Sequence, residues 1–140
     1  MIGIRALANY VPPTGVSTES IAASFGKDRA FLNTRIGTAH LPKYVSPDAT
    51  VDMATHACEK LFASGVCAPE DIDLLILVTQ NPDSGGLPHN SALVHRALGL
   101  SPGAETLDLG LGCSGWVQGV ALGIALMEAK GLSHGLIVTS

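Results

Sequence analysis

The sequence predicts an α/β domain: a mostly parallel sheet covered by helices on both faces. Two of the segments that read as strands, Asp73 to Thr79 and Leu136 to Ser140, are apolar without the polar alternation of a half-solvated strand. Helical segments alternate with the strands, and a glycine closes each of the longer ones. A chain of 140 residues with 46% apolar residues is long enough to bury such a core.

The elements follow in order. Ile2 to Tyr10 alternates weakly, is rich in strand-forming residues and meets Pro12 and Pro13, which cannot continue a ladder, so it reads as a first strand. Thr18 to Phe25 reads as a short helix ended by Gly26, and Arg29 to Thr34 as a second helical piece. His40 to Asp48, with Pro42 and Pro47, reads as an irregular connector, in which Asp48 or Thr50 is placed to cap the helix Val51 to Ser64 before Gly65. Asp73 to Thr79 is then a strand, Asn90 to Leu98 a helix stopping at Gly99, and Thr106 to Leu109 a short strand. Ser114 to Ala129 is a helix running up to Gly131, and Leu136 to Ser140 is a final buried strand. That last strand has nothing after it to cover it, which points to a piece of a longer protein.

Composition narrows the function classes. Only 14% of residues are charged and the formal net charge is −4, with no basic cluster longer than two residues, so a nucleic-acid partner is not expected. The start lacks the features of a secretory signal, so a cytoplasmic location is expected. Cys58, Cys67 and Cys113 show no C-x-x-C spacing and no histidine at ligand intervals, so they read as reduced thiols with no disulfide and no metal site. Leu109 to Met127 runs 19 residues without a formal charge. Its five glycines, with Cys113, Ser114 and Gln118, dilute its hydrophobicity, and Gly110 to Gly112 divide it into a strand end and a helix, so no membrane span is expected.

The segment Leu107 to Trp116 carries the sharpest chemistry. Cys113 stands where a strand passes through a glycine turn into a helix, and there unpaired N–H groups and the helix dipole favour a thiolate. Flanking glycines leave room for a substrate carbonyl, and the Cys113 backbone N–H is positioned for a developing oxyanion. Gly115, Gly119 and Gly123 recur every four residues and form a smooth face for close packing. A single cysteine beside glycines is more often core than catalyst, and Cys58 and Cys67 are assigned to the core. Gly110 to Gly115 also satisfies G-x-G-x-x-G between a strand and a helix, so a dinucleotide-binding module stands as an alternative. The five histidines read as structural or solvated, with His89 the one nearest the loop before Asn90. Asp71 and Asp73 read as a solvated strand start, and Asp108 as a support for the glycine turn.

Asp108 to Gly115 with its apolar helix, the run Asp71 to Ile76, Leu87-Pro88 before a helix ending Leu98-Gly99-Leu100, and Asn33-Thr34-Arg35-Ile36-Gly37 together resemble the β-ketoacyl-acyl-carrier-protein synthase III family of the thiolase superfamily. The resemblance covers Ile2 to Ser140, matching the N-terminal half of such an enzyme. It implies one thiolase-like domain over residues 1–140, with a mixed, mostly parallel five-stranded sheet. It implies that Cys113 is the nucleophile taking an acyl group from acyl-CoA, that Arg35 and Phe31 lie beside the coenzyme A nucleotide, and that Leu87 reaches across a homodimer interface into the partner's acyl pocket. Malonyl-acyl-carrier protein is the implied second substrate, condensed with loss of carbon dioxide. No metal or resident cofactor is implied. The histidine and asparagine of the family's condensation step belong to the other half, so these 140 residues alone are expected to be acylated at most.

Four departures stand out. Thr38-Ala39 replaces a further arginine, Phe31 a tryptophan, and Gly110-Leu111-Gly112 a small alanine-rich stretch, while Gln80 to Gly86 is unusually polar for a pocket loop. They point to an acyl donor other than acetyl-CoA. Two further alternatives are a thiolase-fold acyltransferase to an alcohol or amine, and a non-catalytic half that serves only dimerisation.

Overall fold

A computed structural model describes residues 2–47 and 49–140. The chain forms two compact units, Val11–Ser46 and Met1–Tyr10 with Pro47–Ser140.

In the smaller unit, β1 (Gly15–Ser17) pairs antiparallel with β2 (His40–Pro42), in the register Gly15 to Pro42, Val16 to Leu41 and Ser17 to His40. Part of the expected connector is therefore a strand. Helix α1 (Thr18–Ser24) starts where the Ser17 hydroxyl accepts from the Glu19 N–H at 3.2 Å, an N-cap. The helical turn α2 (Arg29–Phe31) is capped by Asp28, whose carboxylate accepts from the Phe31 N–H at 2.8 Å. It continues through Leu32–Ile36 as a wider turn, closed by a Gly37 N–H to Leu32 carbonyl bond of 2.9 Å. Gly37 has φ 76°, a conformation that a side chain disfavours, and this accounts for the glycine that ends the Thr34-Arg35-Ile36-Gly37 motif.

The larger unit is the α/β layer structure. Its elements are α3 (Ala49–Ala63), β3 (Leu74–Val78), α4 (Asn90–Leu98), β4 (Glu105–Leu109), α5 (Gly115–Lys130) and β5 (Gly135–Thr139). The strands form a parallel sheet in the order β4-β3-β5, with Leu75 opposite Thr106 on one side and Leu136 on the other. All five residues of β3 are buried, as a central strand covered on both faces requires. Leu75, Leu77, Leu136 and Val138 pack with Val51, Ala54, Cys58 and Val94 of α3 and α4. Leu74, Ile76 and Val78 face the other way and pack with Leu122, Leu126 and Met127 of α5. The helices thus occupy both faces.

The glycine stripe of α5 is the reason this helix lies so close to the sheet. A Cβ on Gly119 would stand 3.1 Å from both Ile137 Cγ2 and Val78 Cγ2, one on Gly123 would stand 2.9 Å from Ile137 Cδ1, and one on Gly115 would overlap Val78 Cγ1. The 19-residue uncharged run divides into the end of β4, a turn and most of this 16-residue helix. Among the described residues no helix is long and apolar enough to cross a membrane.

Three expectations are corrected. The described residues supply three strands of the main sheet, not the five the resemblance implies: of the four segments read as strands, Ile2 to Tyr10 forms no ladder. That segment exposes Ile4 and Leu7, and strand propensity without a paired edge does not make a strand. A groove of about 750 Å³ lies among Ile2 to Tyr10, β5 and parts of α3 and α5. The cap of α3 is not Thr50, which lies inside the helix, and Asp48 lies outside the described residues. The Thr50 and Val51 N–H groups instead donate to the Asp83 carboxylate at 3.2 and 2.9 Å. Nor are Asp71 and Asp73 merely solvated. Asp71 accepts from the Ala68 N–H at 2.9 Å, and Asp73 from the Ser133 and His134 N–H groups at 2.8 and 3.0 Å, tying the start of β3 to the start of β5. The His134 and Ser133 N–H bonds hold the Asp73 carboxyl below its ordinary value.

Candidate active site

The carboxyl ends of the three parallel strands meet on one edge of the sheet, where open α/β sheets place their ligand crevices. The Thr79 N–H donates to the Leu109 carbonyl at 3.1 Å and the Ser140 N–H to the Val78 carbonyl at 3.0 Å, which locks the three ends together. Beyond β4 the chain turns sharply. The Leu111 N–H donates to the Leu109 carbonyl at 2.9 Å and the Gly115 N–H to the Gly112 carbonyl at 2.8 Å. Cys113 rides on that second turn, one residue before the Ser114 N-cap of α5, and so lies just ahead of the first turn of the helix.

Cys113 is exposed and opens onto a cavity of about 300 Å³, walled by Val78 to Asn81 from the end of β3, by Leu111 and Gly112, and by Thr139 and Ser140. No group among the described residues accepts from the Cys113 backbone N–H. The other two cysteines differ. Cys58 is buried, and desolvation, assisted by the nearby Glu59 charge, pushes its thiol up to about 12. The Cys67 thiol is also raised, first by burial and then by Asp71, against a lowering by Arg5. Of the three sulfurs, only Cys113 combines exposure with a cavity.

Two carboxylates frame this edge. Asp83, 9% exposed, holds the start of α3, and its own N–H donates to Asn90 Oδ1 at 2.7 Å. Asp108, on β4, accepts from the Asn90 and Ser91 N–H groups at 2.8 and 2.7 Å. Its role is therefore to cap α4 rather than to support the glycine turn. His89 Nδ1 lies 3.6 Å from Asp108 Oδ2 on an exposed side chain. His56 Nδ1 meets Glu59 at 3.1 Å, and His95 Nε2 meets the Ser101 carbonyl at 2.9 Å. Sequence reasoning missed Gln80 as a neighbour of the cysteine turn. Its Oε1 lies 2.7 Å from the point a Gly112 Cβ would occupy.

Leu87, 75% exposed, follows the loop Asp83–Gly86 and is not part of the cavity wall. Arg35 and Phe31 belong to the smaller unit, both exposed, with Lys27 Nζ 5.4 Å above the Phe31 ring. Among the described residues no group of three histidines, cysteines or acidic residues is arranged to hold a metal ion.

No protein-family model matches the chain. It is 30% identical over 137 residues to the β-ketoacyl-acyl-carrier-protein synthase III of Deinococcus deserti, covering 98% of the chain and 39% of that enzyme. It is 29% identical over 128 residues to β-ketoacyl-acyl-carrier-protein synthase III 2 of Vibrio vulnificus, covering 91% of the chain and 34% of the relative. The fold superposes on a crystal structure of 3-oxoacyl-(acyl-carrier-protein) synthase III with a TM-score of 0.87 at 29% identity, over 96% of this chain and 40% of the other. The chain is a homologue of β-ketoacyl-acyl-carrier-protein synthase III. It spans 34% to 42% of the length of these curated synthase III relatives. A tetronic acid condensing enzyme has the same fold, with a TM-score of 0.80 at 26% identity over 96% of this chain and 42% of the other. The α/β fold is thus thiolase-like, as in synthase III, and the homologues are condensing enzymes.

Proposed function

We propose that the chain carries the acylation half of a decarboxylative condensing enzyme of the synthase III type, with Cys113 as the nucleophile. The observation that supports this most is an exposed cysteine on a turn at the carboxyl ends of parallel strands, beside a cavity and with its own N–H free. The Cys113 sulfur attacks the thioester carbon of an acyl-CoA, and the tetrahedral oxyanion takes the Cys113 N–H. The start of a 16-residue helix carries partial positive charge, which favours that oxyanion. The carbon–sulfur bond to coenzyme A then breaks, and coenzyme A leaves as the thiol with the proton lost by Cys113.

In the second stage malonyl-acyl-carrier protein loses carbon dioxide. The resulting carbanion attacks the acyl carbon and expels the Cys113 sulfur, giving a 3-oxoacyl-acyl-carrier protein. The groups that stabilise this carbanion in the family lie outside this stretch. Arg35 and Phe31 are the residues proposed to meet the coenzyme A nucleotide, and Leu87 the residue proposed to enter a partner's acyl pocket in a homodimer. The reaction needs no resident cofactor, and its substrates are water-soluble thioesters suited to the cytoplasm.

Intact-protein mass spectrometry after exposure to a panel of acyl-CoAs tests the reading. One acyl mass is expected on the wild-type protein and none on Cys113→Ala; a shift that survives the substitution removes Cys113 from the mechanism. Binding of NADH with an unreactive Cys113 overturns the reading in favour of a nucleotide-binding module.

A further inference from the structure

We propose that Gln80 determines substrate specificity at the Cys113 cavity and selects short acyl groups that carry a hydroxyl on the first or second carbon beyond the thioester carbonyl; this rests on Cys113 as the acyl carrier. The cavity wall around the sulfur sets the polar side chains of Gln80, Asn81, Thr139 and Ser140 beside the hydrocarbon of Val78 and Leu111, so an acyl group seated there meets hydrogen-bonding groups as well as apolar surface. At about 300 Å³ it lies at the small end of ligand sites.

Gln80 is the exposed wall residue whose side chain lies against the cysteine turn. Its amide lies against the bare Cα of Gly112, with Oε1 2.7 Å and Nε2 3.8 Å from the position a Cβ would take. Gly112 immediately precedes Cys113, so an acyl group on the sulfur begins within reach of this amide. The Gln80 amide has no hydrogen-bond partner among the described residues, and its donors and acceptor remain available to a ligand. An alkyl chain seated there strips water from the amide and returns nothing, whereas a hydroxyl on the acyl group both donates and accepts. The backbone that carries Gln80 is held on both sides. Thr79 is buried and its Oγ1 accepts from the Asn81 N–H at 3.1 Å, while Thr50 Oγ1 donates to the Asn81 carbonyl at 2.8 Å.

The test is a competition. The protein is mixed with equal amounts of butyryl-CoA and either 2- or 3-hydroxybutyryl-CoA, and the two adducts on Cys113 are counted by peptide mass spectrometry. The wild type is expected to take up one of the hydroxyacyl groups about tenfold in excess, the discrimination one satisfied hydrogen bond gives. In Gln80→Leu the ratio falls to about one or below. Gly112→Ala, whose Cβ displaces the amide, moves the ratio in the same direction. A wild type that takes up butyryl as readily as both hydroxyacyl groups overturns the inference, as does a ratio unchanged in Gln80→Leu, and both outcomes leave acylation of Cys113 standing. Absence of any adduct on Cys113 overturns the parent reading and this inference with it.

Discussion

The three glycines of α5 give a graded prediction, because each meets a different kind of neighbour. Gly→Ala in a helix interior gains about 1 kcal/mol of propensity, less at a helix terminus, so the sign of each substitution depends on what the new methyl touches. At Gly123 it meets Ile137 Cδ1 at 2.9 Å, the far end of a side chain that can rotate away. Gly123→Ala is therefore expected to be neutral or to stabilise by about 0.5 kcal/mol. At Gly119 it meets two γ-methyls, of Ile137 and Val78, each at 3.1 Å. Both belong to stiff β-branched residues, and the strain about cancels the gain.

At Gly115 the methyl overlaps Val78 Cγ1 and approaches Leu111 Cβ to 3.0 Å. Val78 is 2% exposed and cannot move outward, so the helix start must shift instead. Gly115 is the first helical residue, where the propensity gain is least, and the net cost is expected at about 1–3 kcal/mol. Thermal and urea unfolding of the three variants measure this, with a Tm drop of about 4–10 °C for Gly115→Ala alone. Equal losses at all three positions, or a larger loss at 123 than at 115, would refute the packing argument.

Three other outcomes are expected. Iodoacetamide should label Cys113 in the folded protein while Cys58, buried with its thiol pushed up to about 12, stays unlabelled until denaturant is added; peptide mapping reads both. Asp73→Asn should lower stability at neutral pH and flatten its fall in acid. A carboxyl held below its ordinary value stabilises the fold above the unfolded-state pKa and loses that contribution as pH drops through the folded one, so urea midpoints of the two proteins should converge in acid. Asp83→Asn should cost about 1–2 kcal/mol in urea unfolding, because the start of α3 loses a charged acceptor.

Where signals are local, the sequence reading matches the structure. Gly99 and Gly131 end α4 and α5 with φ of 62° and 68°, and the apolar runs of β3 and β5 lie where period and length placed them. The turn bearing Cys113 was equally legible, since glycines between a strand and a helix admit the backbone conformations a tight turn needs and so mark one. What escaped depends on distant partners. The three-residue strands β1 and β2 pair across 23 residues or more and include a proline, so neither carries an apolar period. Asp83 caps a helix that starts more than 30 residues earlier. Nothing in Gln80-Asn81-Pro82 announces that the first of these lies on Gly112.

The capping pattern bears on the reactivity proposed for the cysteine turn. Helices α3, α4 and α5 each leave unpaired N–H groups at their starts, and in a folded protein such groups normally find an acceptor. Asp83 supplies one for α3 and Asp108 supplies one for α4, in both cases a carboxylate in contact with two consecutive amides. At α5 the N-cap is Ser114, whose side chain makes no capping bond, and the preceding Cys113 N–H is free. A carboxylate there would stabilise the helix as it does its neighbours, by about 1 kcal/mol, but would fill the position with negative charge. The oxyanion of the proposed acylation at Cys113 needs that same position. Leaving one helix start of three without its acceptor thus gives up a small amount of stability at the point where a ligand's charge can take the acceptor's place.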